Sequence, residues 1–454
     1  MKRLPASYRD PSGYIFLDGD HLRRQINPVF FEEYSAAVNA GIYEKLFAKG
    51  WLIPHREVSQ DENKIILEPE HIPFISYPYE WSFTQYKHAA QLTLRLQMFL
   101  LEHDFSLKDA SAFNITFHNG KAIFIDTLSI ERYKENEPWR ALQQFEMHFF
   151  GTLLLAEKYG AQHLKTLSHQ INGVDLKETS KLLGWKSRFH PVIYPNIHLM
   201  AKDNGEAQTN TAEKSPKISK ESQLKILKVL EMHISGMSLS ESTEWTAYYD
   251  QTNYDAASFG NKKQLIHDWS NALDAKTAID LGGNDGTFAR ELPSSIEQVI
   301  VSDIDQAAID YCYKKELESS DSKILPIVID LMQPSPSIGF GNNERKSFSK
   351  RIENLQPDLS LALALIHHIT LTGNVPFEMS AAFFSRISKH LIIEFPDRED
   401  SWVQFILDSK RDARHLFDDY NLSAFAKAYS EYYHIDKKQK IEGTHRTLFL
   451  MRRK

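Results

Sequence analysis

Apolar positions recur along this chain with two different spacings. Over 91–102 they follow the three-to-four-residue step of one helix face. Beyond residue 276 they come as short, β-rich runs at 277–281, 298–302, 324–329, 359–365 and 391–394, with helical patterns between them. Strands alternating with helices predict a parallel sheet covered by helices on both faces. The last two runs, 432–435 and 447–451, are joined by a polar stretch with no helical pattern, which predicts an antiparallel hairpin at the sheet edge. Over 203–221 both spacings stop, and Ile218 is the only large apolar residue. Such a segment buries too little surface to offset its ordering and reads as a linker. It divides a mixed α/β domain, 1–202, from a second domain, 222–454.

Composition narrows the class. The 454 residues suffice for two or three domains of roughly 150 residues each. A hydrophobic content of 42% fits core-forming globular domains. The net charge of −7 argues against general nucleic-acid binding, which needs a basic face. One cysteine, Cys312, excludes an intrachain disulfide and fits a reducing compartment. The N-terminal sequence lacks the apolar core of a signal peptide, and no run approaches the roughly 18 apolar residues of a membrane span. The expected location is the cytoplasm.

The densest chemistry lies at 277–286. The run Thr277, Ala278, Ile279 stops at Asp280, and Gly282, Gly283, Asn284 and Gly286 lead into a helical pattern near Thr287. Glycines allow close backbone approach to a ligand, and a helix N-terminus offers N–H donors. Asp303 closes the second strand, 23 positions after Asp280, where an acid can accept hydrogen bonds from ribose hydroxyls. Asp330, followed by Leu331, closes the third, where a carboxylate can face an adenine amino group. The bland alternative is that these acids are helix caps or solvated strand ends. The nicotinamide fingerprint G-x-G-x-x-G does not fit, because Gly282 and Gly286 are four apart.

The pattern Asp-x-Gly-x-Asn-x-Gly resembles the D/E-x-G-x-G-x-G loop of class I S-adenosylmethionine-dependent methyltransferases, with Asn284 in place of the middle glycine. Asn tolerates left-handed backbone better than other non-glycine residues. The runs Asp330-Leu-Met-Gln-Pro, Glu344-Arg-Lys-Ser, Leu361-Ala-Leu-Ala-Leu-Ile-His-His-Ile, Asn374-Val-Pro-Phe, Leu391-Ile-Ile-Glu-Phe and Arg446-Thr-Leu-Phe-Leu-Met-Arg-Arg are similar to the methyltransferases related to the nodulation protein NoeA. The resemblance implies a doubly wound, seven-stranded Rossmann-like sheet with an antiparallel last strand. It also implies S-adenosylmethionine as cofactor, held by Asp280, Gly282, Gly283, Asn284, Gly286, Asp303, Asp330 and Leu331. After Glu394-Phe this chain reads Pro-Asp where that family reads Val-Pro.

Methyl transfer to a hydroxyl needs alignment and proton removal. His367 and His368 follow the fourth strand, at the edge where ligands bind in open α/β folds. Either is a candidate base, and a structural cap is the alternative. Glu394 closes the fifth strand, as an acid that orients a histidine, binds acceptor, or is merely solvated. Asn374-Val-Pro-Phe reads as a turn and a helix start. Tyr249 and Tyr254 precede the first strand and are candidates to lid the cofactor by cation–π attraction, or simply to pack in a core. Lys262 and Lys263 read as a solvated face.

The N-terminal domain carries a second constellation. Asp109, then Asn114, then a predicted hairpin ending at Asp126 resemble the catalytic loop and metal-binding aspartate of a protein kinase. In that reading Asp109 orients a hydroxyl, and Asn114 and Asp126 hold Mg²⁺ with ATP. The glycine-rich phosphate loop is absent, no matching lysine is evident, and Asp126 is followed by Thr127 rather than Phe-Gly. The sequence therefore gives three readings. The first is a methyltransferase acting on a hydroxyl of a glycan or small metabolite. The others are a bifunctional kinase–methyltransferase and a non-catalytic binding protein with a degenerate cofactor fold.

Overall fold

The computed structural model describes residues 2–203, 217–239, 256–319 and 323–454. The chain forms two compact units. One comprises Met1–Glu241 with Pro336–Lys346, and the other Ser242–Ser335 with Ser347–Lys454.

The first unit opens on an antiparallel sheet of β1 (Lys2–Arg3), β2 (Gly13–Asp18), β3 (His21–Ile26), β4 (His55–Gln60) and β5 (Ile65–Pro69), in the order β1-β2-β3-β5-β4. Only Gly19 and Asp20 separate β2 from β3, and Gly19 has φ +61°, a tight turn rather than a phosphate-cradling loop. The helix expected over 91–102 runs from Phe83 to Glu102. It starts earlier because Ser82 and Gln85 form a capping box: Ser82 Oγ accepts from Gln85 N, and Gln85 Oε1 from Ser82 N. Three short strands follow: β6 (Phe105–Leu107), β7 (Ile115–His118) and β8 (Lys121–Phe124). The last two form the expected hairpin, and β9 (Ile130–Arg132) pairs with β6.

The polar stretch at 203–221 does not coincide with the division between compact units. Helix Lys220–Gly236 packs in the first unit, where Leu227, Leu230 and Ile234 are buried and Glu231 pairs with Arg95 at 2.9 Å. The pattern after residue 221 is amphipathic, and its apolar face belongs to the core before it rather than the one after. Residues 204–216 of that stretch lie outside the described residues.

The first unit also claims an excursion from the second. The chain leaves at Ser335, folds back through an Ile338–Arg345 bridge, and returns at Ser347. Gly339 has φ +85°, and a Cβ there would meet Glu344 Cβ at 2.3 Å, so this turn requires glycine. Buried Glu344 accepts hydrogen bonds from Arg9 (2.6 and 2.9 Å) and the Tyr8 hydroxyl (2.8 Å).

The second unit is a seven-stranded mixed sheet of β10 (Thr277–Leu281), β11 (Gln298–Asp303), β12 (Ile324–Val328), β13 (Leu359–Ala362), β14 (His390–Pro396), β15 (Tyr433–Lys440) and β16 (Arg446–Arg453). Their order is β12-β11-β10-β13-β14-β16-β15. The first five strands in that order are mutually parallel, and β16 runs antiparallel to both its neighbours. The hairpin expected from the two terminal runs is present. Central strands are buried on both faces, so Val299, Ile300 and Val301 are consecutive core residues, as a parallel sheet requires. After β10 the chain builds outward through β11 and β12, then crosses back to β13. The switch point therefore lies at the carboxyl ends of β10 and β13.

Candidate cofactor site

At that switch point lies a cavity of about 460 Å³, within the range of small-molecule sites. The turn after β10 forms its floor. Gly282 has φ +72° and Asn284 φ +49°, so the asparagine occupies the left-handed region its position requires. Gly283 must be glycine for space: a Cβ would lie 2.8 Å from Asp280 Oδ2 and 2.9 Å from Val301 Cγ1. Gly282, Gly283 and Asn284 all line the cavity. Gly286 supports the turn from behind, where a Cβ would strike Cys312 Sγ at 2.8 Å.

The sequence promised free N–H donors here, and the fold has used them. Gly282 and Gly283 both donate to Ser302 O (2.8 and 3.0 Å), Asn284 to Asp303 Oδ2 (2.9 Å), and Thr287 to Asp285 Oδ1 (3.0 Å). The helix that follows, Thr287–Arg290, is a single turn. Carboxylates, rather than backbone donors, are therefore the groups left to meet a ligand.

Three acids surround the cavity. Asp280 is buried, and its Oδ2 has no hydrogen-bond partner. Burial raises its pKa to about 7, opposed by nearby Lys262 and reinforced by Asp303 and Asp285. Asp303 Oδ1 accepts from Asp305 N at 2.9 Å, and its Oδ2 is the partner of Asn284 N. Burial raises its carboxyl, and those N–H donors moderate the rise. Asp330 Oδ1 accepts from Met332 N at 2.8 Å, which tightens the turn after β12. Leu331, Ile304, Ile329 and Ile369 supply apolar walls.

Lys262 corrects the sequence reading. It is not on a solvated face but buried, lining the cavity, with Nζ 2.5 Å from Glu394 Oε2 and 4.4 Å from the Phe288 ring centroid. Only Lys263 is partly exposed, paired with Glu291 at 2.7 Å. Helical position alone cannot reveal this, because the acid that draws Lys262 inward lies 132 residues away. Glu394 also accepts from Arg446 Nη1 (3.1 Å) and Ala364 N (3.0 Å), and Arg446 reaches Asp400 at 2.7 Å. Two cations and two carboxylates thus balance beneath the cavity. Both Glu394 oxygens are bonded within this network, and Lys262 and Ala364, its partners, line the cavity whereas Glu394 itself does not.

The histidine pair is split by the fold. Their rings lie 4.2 Å apart. His368 lines the cavity, whereas His367 is buried outside it with Nδ1 unpartnered. Burial, then the Arg446 charge, lowers the pKa of His368, which keeps its imidazole neutral at pH 7. Asn374 has φ +56° and precedes helix Phe377–Ile387, the turn and helix start expected there. Tyr249 and Tyr254 lie outside the described residues.

In the first unit, Asp109, Asn114 and Asp126 flank the β7–β8 hairpin, but Asp126 is already occupied. Arg24 Nη1 donates to its Oδ1 and Ser129 Oγ to its Oδ2, both at 2.5 Å. Burial alone would raise this carboxyl, and the Arg24 charge with those donors brings it below its ordinary value. Asp109 is raised, by burial first and then by the Asp126 charge, and its Oδ1 caps Ser111 N. Among the described residues no cluster of His, Cys, Asp and Glu has the makings of a metal site. No helix among them is long and apolar enough to cross a membrane.

No protein-family model matches the chain. The nodulation protein NoeA of Rhizobium meliloti (strain 1021) is 31% identical over 466 positions, covering 99% of this chain and 96% of that protein. Among solved structures, the N-methyltransferase NodS from Bradyrhizobium japonicum WM9 is 12% identical, with 44% of this chain and 98% of NodS covered and a TM-score of 0.31. The magnesium protoporphyrin IX methyltransferase ChlM from Synechocystis PCC 6803 is 14% identical, with 46% and 91% covered and a TM-score of 0.31. The bifunctional kinase-methyltransferase WbdD is 16% identical, with 49% and 46% covered and a TM-score of 0.30.

Proposed function

The chain belongs to the family of the nodulation protein NoeA, and from that premise we propose that it is an S-adenosylmethionine-dependent methyltransferase acting through its second unit. One observation carries this reading. Asp280, Gly282, Gly283, Asn284, Asp303 and Asp330, chosen from sequence as cofactor ligands, line a single cavity at the switch point of the sheet.

The residues present fit that cofactor. The unpartnered Oδ2 of Asp280 is an acceptor awaiting a donor, suited to the ammonium of the methionine end. Asp303 retains acceptor capacity for ribose hydroxyls. Asp330 and the apolar walls suit an adenine ring. At Gly283 any side chain would press on Asp280 and Val301, so glycine there lets the turn pack closely enough to hold Asp280 at the cavity. When bound, S-adenosylmethionine supplies an electrophilic methyl group on sulfur.

We read the acceptor as a hydroxyl of a glycan or small metabolite. His368 is the base in this reading, because it borders the cavity and stays neutral at pH 7, as proton acceptance requires. For the first unit we favour a binding role over phosphotransfer to or from ATP, since both oxygens of Asp126 are engaged.

Titration calorimetry of the full chain with S-adenosylmethionine tests the proposal. One-site saturable binding is expected, and absence of heat and of competition by S-adenosylhomocysteine overturns it. Mass spectrometry of extracts incubated with the protein and methyl-labelled cofactor then identifies the acceptor.

A further inference from the structure

The first unit exposes an aromatic and basic surface that the methyl-transfer reading does not use. Between residues 177 and 199 the sequence holds Lys177, Lys181, Lys186 and Arg188 against one acid, Glu178, in a chain whose net charge is −7. Helix Leu176–Leu183 ends at Gly184, which has φ +81°, and a 3-10 helix, Trp185–Phe189, follows. Trp185 is 68% exposed and Phe189 80%. Single exposed apolar residues need no explanation, but two large aromatics on one short helix do.

These side chains are held outward by their own helix. Ser187, midway between them, donates to Gly184 O at 2.7 Å, so its oxygen accepts from Nε2 of His198 at 2.8 Å. His198 is buried, and its Nδ1 takes a second bond from Ser180 at 2.7 Å. With Ser187 anchored on this buried imidazole, its neighbours point to solvent. Leu182 and Leu199, on the two elements packed against this helix, are also exposed. Lys181, Lys186 and Arg188 are all exposed.

We propose that this surface docks the first unit onto an anionic lipid bilayer. Trp and Phe favour the headgroup–acyl boundary, and exposed Lys and Arg such as Lys181, Lys186 and Arg188 are drawn to anionic headgroups. The aliphatic neighbours favour hydrocarbon over nucleic acid. So does the arrangement of the rings, whose planes meet at 90° across 6.0 Å rather than forming a flat stacking platform.

The test is co-sedimentation of the full chain with phosphatidylcholine vesicles, with and without phosphatidylserine. Binding is expected only to the anionic vesicles, and it should weaken as salt rises. W185S/F189S is expected to abolish it, and K186E to lower the partition coefficient by at least roughly fivefold. Both changes lie on exposed positions, and unchanged circular dichroism checks that the variants are folded. Failure to bind anionic vesicles at low salt, or equal binding by wild type and W185S/F189S, overturns the proposal. Neither result bears on cofactor binding, which calorimetry reads separately.

Discussion

Lys262 Nζ sits 2.5 Å from Glu394 Oε2, and both side chains are buried, Lys262 in the wall of the cavity and Glu394 behind it. Removing one partner of a buried pair strands the other charge. Lys262→Met is expected to destabilise the protein by about 3–5 kcal/mol. Urea denaturation measures this, and a loss below about 1 kcal/mol would show that Arg446 alone can hold Glu394.

Asp280 gives a pH signature. Its folded pKa of about 7 lies above the ordinary 3.8, so the fold favours the protonated acid. That contribution is complete below pH 3.8 and is lost as pH rises through about 7. Asp280→Asn removes it. The stability of wild type minus that of the variant should therefore fall between pH 5 and pH 8. Denaturation midpoints across that range check the sign.

Asp303→Ala should weaken S-adenosylmethionine binding by roughly 10-fold or more, the scale of hydrogen bonds to a charged group. It also frees the Asn284 N–H, so the turn should lose order. Calorimetry gives the affinity, and undiminished binding would remove Asp303 from the site.

Gly283→Ala places a methyl group against Asp280 and Val301. Overpacking of this kind costs about 1–3 kcal/mol. Cofactor affinity should fall together with thermal stability, whereas a change at an exposed glycine such as Gly236 should leave affinity unaltered.

The two histidines should separate. His368→Gln is expected to lower turnover by roughly 10²–10⁴-fold with little change in cofactor affinity, the range for a lost general base. His367→Ala should act mainly on stability. Labelled-methyl incorporation alongside calorimetry distinguishes the two, and full turnover by the His368 variant would exclude it as base.

The sheet was legible because a central parallel strand must be apolar on both faces. Runs such as Val299–Ile300–Val301 therefore announce themselves, and the acids that close them mark the ligand edge. The turn was legible because Gly282 and Asn284 occupy backbone states that few residues tolerate. Lys262 was not legible: a lysine on a helix looks solvated until its distant carboxylate is known. Nor was the engagement of the loop N–H groups, which depends on Ser302 and Asp303 of the neighbouring strand. The division of the chain was misplaced because helix Lys220–Gly236 is amphipathic, and amphipathicity does not say which core an apolar face will join.

The excursion through Pro336–Lys346 makes the second unit discontinuous in sequence. The polypeptide passes between the units after Glu241, after Ser335 and after Lys346. A shortened chain beginning at residue 242 would keep Glu344 but lose Tyr8 and Arg9, leaving a carboxylate without its clamp. Dissecting this protein into separately expressed halves thus calls for replacing that loop with a short turn, and not for a single cut.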